Sequence, residues 1–418
     1  MAYAKVIGGN KIEGEAVLQG SKNAALPMIA ASVLCRGGVR IENCPDISDV
    51  RELLSVLSRT GAVCKLENHV LTIDASEAVP FSIDREQAKK TRGGVLFLGA
   101  FLGRFHEAWI AYPGGCVIGA RPIDLHCAVL RKLHIALEET EEGVYGKGRP
   151  VGERIELPYP SVGATENAVL AAVCARGRTE LFGAATEPEV SELCRFLNKA
   201  GAKIHGVGTN YLVIDGVAEL HGATYRLTGD RIAAGTYMTA AAMTGGEVVL
   251  RETEGVCMDG ILPVLRMAGT TIRQEKNLLV ATGNDRVLAV PYIRTAPFPA
   301  FPTDMQSQVL ALAAKADGDS VICETVFESR FAVVPELRKM GAEVLCDGQY
   351  AVVHGVRQLY GATVRATELR GGAALLLAGL AAEGETFVYG DEYIARGYED
   401  IYGLFRSLGA DVVRVEES

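Results

Sequence analysis

The chain has 418 residues, 49% of them hydrophobic and 22% charged, which gives it room for more than one domain and an ordinary globular composition. A net charge of -9 without a dense Lys/Arg stripe excludes a general nucleic-acid binder. Ten cysteines with no CxxC pair and seven scattered histidines offer no metal-ligand spacing, and nothing calls for a bound cofactor.

The opening residues, Met1-Ala2-Tyr3-Ala4-Lys5-Val6, read as a strand and lack the apolar core of a signal peptide. The longest apolar run, Ala373 to Ala382, is too short to span a bilayer. These features predict a cytoplasmic protein without membrane contact, whose cysteines are mostly reduced and packed as small core residues. A helix that is apolar nearly all round, and so buried, opens at Lys22-Asn23-Ala24-Ala25-Leu26. A second helix closes on Thr60-Gly61-Ala62, where the glycine marks a C-cap that needs a left-handed residue. Both then recur. Buried helices open at Arg92, Ala164, Arg231, Asp304 and Arg370. Caps return at Gly201, Gly269, Gly341 and Gly409, with His134 filling the slot of a degenerate copy. The caps fall 67 to 73 residues apart, too far for the common solenoids. Six such units predict an α/β fold of two three-unit domains: residues 21–228, and residues 229–418 completed by the N-terminal residues 1–20.

Between the second buried helix and the degenerate cap runs Pro113-Gly114-Gly115-Cys116-Val117-Ile118-Gly119-Ala120-Arg121-Pro122. Proline is favoured at the first helical position, so Cys116 and Arg121 are expected beside a helix N-terminus. The partial positive charge there, with the guanidinium, favours a thiolate. The plain alternative is a tight turn holding an ordinary cysteine. Four of the six buried helices open on a fixed positive charge, at Lys22, Arg92, Arg231 and Arg370, and one on the carboxylate of Asp304. A cation at that end opposes the helix dipole, so the repetition predicts an anionic ligand at these termini. Ordinary capping and surface charge is the competing reading.

These segments, with Gly20-Ser21-Lys22-Asn23, Ser161-Val162-Gly163-Ala164-Thr165, Arg294-Thr295-Ala296-Pro297, Phe301-Pro302-Thr303-Asp304-Met305-Gln306, Glu324-Thr325-Val326-Phe327-Glu328 and Arg396-Gly397-Tyr398-Glu399, resemble the enolpyruvyl transferases over essentially the whole chain. The resemblance implies two inside-out α/β barrel-like domains of three repeats each, with the active site in the interdomain cleft. It implies transfer of the enolpyruvyl group of phosphoenolpyruvate to the 3-hydroxyl of UDP-N-acetylglucosamine, at the start of peptidoglycan synthesis. It assigns Lys22, Arg121 and Arg396 to the phosphate and carboxylate of phosphoenolpyruvate, with Arg370 nearby and Asn23 on the intermediate. Asp304 orients and deprotonates the sugar hydroxyl. Cys116 donates the proton to the methylene carbon and is the site of alkylation by fosfomycin. The nucleotide falls to Arg92, to Arg121, Pro122, Ile123, Asp124 and Leu125, to Ser161, Val162 and Gly163, and to Val326. Tyr159, Leu96, Ala233 and Ser329 depart from the family pattern, where some members have Lys, Trp, Glu and Asn. The competing readings are a shikimate-phosphate enzyme of the same fold, a secondary or non-catalytic paralogue that binds nucleotide sugar, and a repeat scaffold with an incidental cleft.

Overall fold

The computed structural model describes residues 2–90, 92–112, 119 and 122–416, and of Arg92 only the backbone. The described residues fall into two compact units, and the chain passes between them after Gln19 and after Leu227.

The unit that begins at Gly20 holds three buried helices: α1 (Lys22–Ser32), α2 (Leu96–Phe105) and α3 (Val162–Ala172). Around them stand three four-stranded sheets of one topology. In the first, Thr224–Arg226 runs parallel to Val39–Glu42, and Val70–Asp74 and Val63–Glu67 follow antiparallel. Ser82–Ile83, Glu107–Ala111, Gly143–Lys147 and Ala136–Glu139 repeat the pattern, as do Arg154–Glu156, Arg178–Phe182, Tyr211–Asp215 and Lys203–His205. Apolar residues on all sides of the helices require burial all round, and the helices form the core while the sheets carry the surface. Helices α2 and α3 approach so closely that a Cβ on Gly99 would sit 2.5 Å from the Asn167 carbonyl oxygen. At the far end of α1, Arg104 donates to the carbonyls of Val33, Cys35, Ala75 and Ser76, at 2.7 to 3.1 Å, and so satisfies groups that a helix C-terminus leaves open.

The other unit repeats the plan with α4 (Arg231–Thr244), α5 (Gln306–Ala314) and α6 (Leu369–Ala381), which pack on one another. Its third sheet is ordered Thr363–Arg365, Glu385–Tyr389, Ala2–Ile7, Asp411–Glu416. The N-terminal strand thus holds the inner place that a hairpin strand takes in the other five sheets.

Several helix starts differ from the sequence expectation. Helix α2 begins at Leu96, because Arg92–Val95, with two glycines, forms a 3-10 turn instead. Helix α3 begins at Val162, since Ser161 is its N-cap and its hydroxyl accepts from Ala164 N–H. Asp304 lies in a 3-10 turn, Thr303–Met305, ahead of α5. Arg370 is the second residue of α6, because Glu368 caps that helix. The helix after the cysteine loop begins at Asp124, two residues beyond Pro122.

All five predicted cap glycines have φ between 88° and 101°, and His134 adopts φ 61° in the sixth slot. A left-handed side-chain residue costs about 1–2 kcal/mol, offset in part by the 3.4 Å approach of His134 to Glu153. His134→Gly is therefore expected to raise stability by about 0.5–1 kcal/mol, read as a rise in Tm. A second expectation concerns Glu166 on α3. Burial, then the Glu189 and Glu187 carboxylates, push its pKa well above the usual range. Its contribution to stability is full below an unfolded value of about 4.3 and is lost as pH rises towards the raised folded value. Glu166→Gln removes that loss. Its Tm should gain on the parent's as pH rises from 5 to 8, by at most roughly 1.4 kcal/mol per pH unit; parallel curves would contradict this.

Candidate active site

In the unit containing α4 to α6, Asp304 is held by two arginines. Its side chain is 28% exposed, and Arg330 and Arg370 beside it are only 2% and 3% exposed. Arg330 Nη2 donates to Oδ1 at 2.6 Å and Arg370 Nη2 to Oδ2 at 2.8 Å. Arg330 also donates through Nε and Nη2 to the Thr303 carbonyl, which fixes the turn that carries Asp304. Glu368 accepts from the Arg370 and Gly371 N–H groups and approaches Arg330 Nη1 at 3.4 Å. Burial acts to lower the Arg370 pKa, but Asp304, Tyr398 and Asp230 outweigh it and the net shift is upward, so this guanidinium stays charged. A half-exposed carboxylate with a guanidinium on each oxygen is a fixed hydrogen-bond acceptor. Nearby, Glu324 Oε1 accepts from the Val326 and Phe327 N–H groups, so Val326 sits in a turn tied by that carboxylate. Arg396 is half-buried in the turn after Asp391–Ile394, its N–H donating to the Tyr393 carbonyl.

In the unit containing α1 to α3, Ser21 caps α1 and Lys22 is its first residue, buried, with Nζ 2.8 Å from Asp49 Oδ2. Asp49 is also buried, in the first turn of the helix Ser48–Arg59. Asn23 is half-buried beside it. Ser161, Val162 and Gly163 form the start of α3, all half-buried. A Cβ on Gly163 would lie 2.7 Å from His126 Cε1, so the approach of that ring requires glycine. Asn167, fully buried, donates to His126 Nδ1 at 2.8 Å and accepts from Gly99 N–H at 2.6 Å. It thereby joins the start of α3 to α2 and to the helix Asp124–Lys132. Pro122 and Asp124 are exposed, Leu125 half-buried and Ile123 buried. Asp124 occupies the first turn of its helix, where a carboxylate suits the dipole.

Asp304 and Arg370 are thus brought together, as are Lys22 and Asn23, and Ser161 to Gly163. Cys116, Arg121 and the Arg92 side chain lie outside the described residues. Sequence reasoning missed Arg330, Asp49 and Glu368. Arg330 closes the segment that begins at Glu324, and Asp49 stands at the start of an amphipathic helix. Those positions were the available signals, but both also suit surface residues. Two of the cationic helix starts meet a carboxylate of the protein itself. Asp49 neutralises Lys22, Asp304 neutralises Arg370, and Arg231 lies 6.0 Å from the Phe298 ring centroid. The protein's own carboxylates thus stand against two of these four charges. The described thiols are poor nucleophiles where buried. Burial is the main cause that pushes Cys35 and Cys194 up to about 12 and Cys127 and Cys174 up to about 11. Among the described residues no group of three or more His, Cys, Asp or Glu is placed to hold a metal ion, and no helix is long and apolar enough to cross a membrane.

Residues 6–404 match the family described as EPSP synthase (3-phosphoshikimate 1-carboxyvinyltransferase). The chain is 41% identical over 416 residues to UDP-N-acetylglucosamine 1-carboxyvinyltransferase 2 of Caldanaerobacter subterraneus subsp. tengcongensis, covering 99% of this chain and 100% of the relative. It is 43% identical over 421 residues to UDP-N-acetylglucosamine 1-carboxyvinyltransferase of Dichelobacter nodosus, covering all of both. The crystal structure of the enolpyruvyl transferase NikO from Streptomyces tendae superposes with a TM-score of 0.87 at 24% identity, covering 100% of this chain and 99% of that one. An EPSP synthase structure from Acinetobacter baumannii gives 0.76 at 19% identity, with both chains fully covered, so these two show the fold. The family match and the full-length relatives agree, and the chain belongs to the EPSP synthase family, among its members named UDP-N-acetylglucosamine 1-carboxyvinyltransferase.

Proposed function

We propose that this chain is a cytoplasmic enzyme that transfers the enolpyruvyl group of phosphoenolpyruvate to the 3-hydroxyl of UDP-N-acetylglucosamine, the first committed step of peptidoglycan synthesis. The observation that carries the reading is identity of 41% to 43% over full length with relatives named for that transfer. The Asp304 cluster supports it, because the reaction needs an acceptor fixed on a sugar hydroxyl.

The chemistry runs in two steps. The 3-hydroxyl oxygen bonds to C2 of phosphoenolpyruvate, its proton leaves towards Asp304, and C3 gains a proton to become a methyl group. The product is a tetrahedral phospholactoyl ketal. C3 then loses a proton, the C2–O bond to phosphate breaks, and the enolpyruvyl ether remains. In this reading Arg330 and Arg370 keep Asp304 ionised and aimed, so that it acts by position as much as by basicity. Lys22, Arg121 and Arg396 hold the phosphate and carboxylate, where guanidinium forks bind bidentately, and Asn23 touches the intermediate. Arg370 serves Asp304 first and the phosphoenolpyruvate second, since one of its nitrogens is already committed. Cys116 delivers the proton to C3. Arg92, Arg121 to Leu125, Ser161 to Gly163 and Val326 take the nucleotide.

Phosphate release from phosphoenolpyruvate tests both parts. It should require UDP-N-acetylglucosamine, fail with shikimate 3-phosphate, and stop after fosfomycin adds once, at Cys116, by peptide mass spectrometry. The buried Cys35, Cys127 and Cys194 and the half-buried Cys174 should stay unmodified. Release driven by shikimate 3-phosphate would overturn the acceptor, and release that survives a complete Cys116 adduct would remove the cysteine from the chemistry. Binding of the nucleotide sugar with no release would favour a non-catalytic paralogue.

A further inference from the structure

Beneath Asp304 lies a buried polar layer to which each helix of its unit contributes. Thr236 comes from α4, Gln308 from α5 and Arg370 from α6, and the Tyr398 hydroxyl meets two of them. Thr236, Gln308 and Tyr398 are all essentially inaccessible to solvent. Thr236 Oγ is 2.8 Å from the Ile232 carbonyl, 3.2 Å from Gln308 Nε2 and 2.9 Å from the Tyr398 hydroxyl.

Proton counting fixes the direction of this network. A threonine hydroxyl has one proton and two lone pairs. The Ile232 carbonyl can only accept, so it takes the proton. Gln308 Nε2 can only donate, so it fills one lone pair. The second lone pair is left for Tyr398, which must donate its own proton to Thr236. The Tyr398 oxygen then presents its lone pairs elsewhere, and Arg370 Nη1 stands 3.5 Å away with a proton to give. The order is Arg370 to Tyr398 to Thr236 to the Ile232 carbonyl, each donating to the next. Arg370 in turn donates to Asp304 Oδ2.

The arrangement carries a cost. Gln308 Oε1 is buried without a hydrogen-bond partner among the described residues, a penalty of about 1–3 kcal/mol. Apolar side chains would fill the same space without it. A polar layer kept at that cost, directly under a half-exposed carboxylate, serves something other than packing.

We infer that Tyr398 is a positioning residue: with its proton committed to Thr236, it offers only an acceptor to Arg370 and so fixes the guanidinium that aims Asp304. The inference rests on the reading that Asp304 acts on the acceptor hydroxyl. Tyr398 touches no reacting atom in this account, and Thr236 acts one step further back.

The direction of the network makes the test specific. Thr236→Val keeps the shape but removes the acceptor, so the Tyr398 proton loses its partner and competes with Arg370 for the same space. Thr236→Ser keeps the acceptor. Tyr398→Phe removes the oxygen altogether. Phosphate release at saturating phosphoenolpyruvate and UDP-N-acetylglucosamine should fall about tenfold in Tyr398→Phe and Thr236→Val, the scale of one hydrogen bond to a charged group. KM for UDP-N-acetylglucosamine should stay within about twofold, because no group assigned to the nucleotide is touched. Thr236→Ser should recover kcat to within about twofold of the parent. A structural role alone would lower Tm without this split and without rescue by serine. Parental kcat in Tyr398→Phe, or equal loss in the serine and valine variants, overturns the proposal. Should Tyr398→Phe fail to fold, the comparison of Thr236→Ser with Thr236→Val decides; should Thr236→Val fail, Tyr398→Phe decides. A crystal structure of Tyr398→Phe reads the same point without turnover. The Arg370 guanidinium should leave Asp304 Oδ2 or spread over several rotamers, and an unmoved guanidinium overturns the proposal. A parent chain that releases no phosphate overturns the functional reading instead, and the Arg370 geometry still decides the positioning role.

Discussion

The contact between Asp304 and its two arginines is the constraint around which the α4–α6 unit is organised. Two guanidiniums buried in a core need partners, because removing one member of such a cluster leaves an uncompensated charge. Asp304 provides that partner from a short 3-10 turn, Arg330 ties the turn to its own segment through the Thr303 carbonyl, and Arg370 ties it to α6. Each group is thereby held by a different stretch of chain. The geometry is set by folding, before any ligand arrives, which is what electrostatic preorganisation requires.

The repeat explains how one chain builds such a place. Six helices that are apolar on every side can be satisfied only in the middle of a unit, and the sheets then form the outside. With the helices buried, their first turns are the places where polar side chains emerge from the core. Lys22, Ser161, Arg231 and Arg370 all stand at such starts, and each start is capped by a neighbouring side chain or backed by a carboxylate. The opposite ends are closed off by interior cations, as Arg104 does for α1 and as Lys315 does by donating to the Ala381 carbonyl. N-caps and emerging polar side chains therefore share the starts of these helices, and the cations that close them sit at the other ends.

Much of this was legible in the chain. The cap glycines announced themselves because a left-handed residue is needed where each amphipathic helix ends, and even His134 obeys the slot. The buried helices were legible from their lack of a polar face. Their first residues were less so. Ser161 and Glu368 cap their helices three and two residues before the expected starts at Ala164 and Arg370, and Gly93-Gly94 loosened the start of α2 into a 3-10 turn. Candidate residues embedded in distinctive segments, such as Asp304 and Lys22, could be singled out. Arg330, Asp49 and Tyr398 could not be given their roles, because what distinguishes them is whom they meet across the fold. A carboxylate near a helix start and a tyrosine after a turn carry no mark in the sequence that separates a buried partner from a surface residue. The carboxylates that meet Lys22 and Arg370 were hidden for the same reason, since Asp49 and Asp304 come from distant segments.

The most direct test of the account is the steady-state rate of phosphate release by Asp304→Asn, measured with UDP-N-acetylglucosamine binding and Tm on the same preparation. Asparagine keeps the shape and one acceptor but removes the charge that faces Arg330 and Arg370. The account predicts a folded protein that still binds the nucleotide sugar and turns over at least about a hundredfold more slowly, the scale of lost general-base and positioning catalysis. Turnover within a few-fold of the parent would contradict it, and would move the chemistry away from this carboxylate.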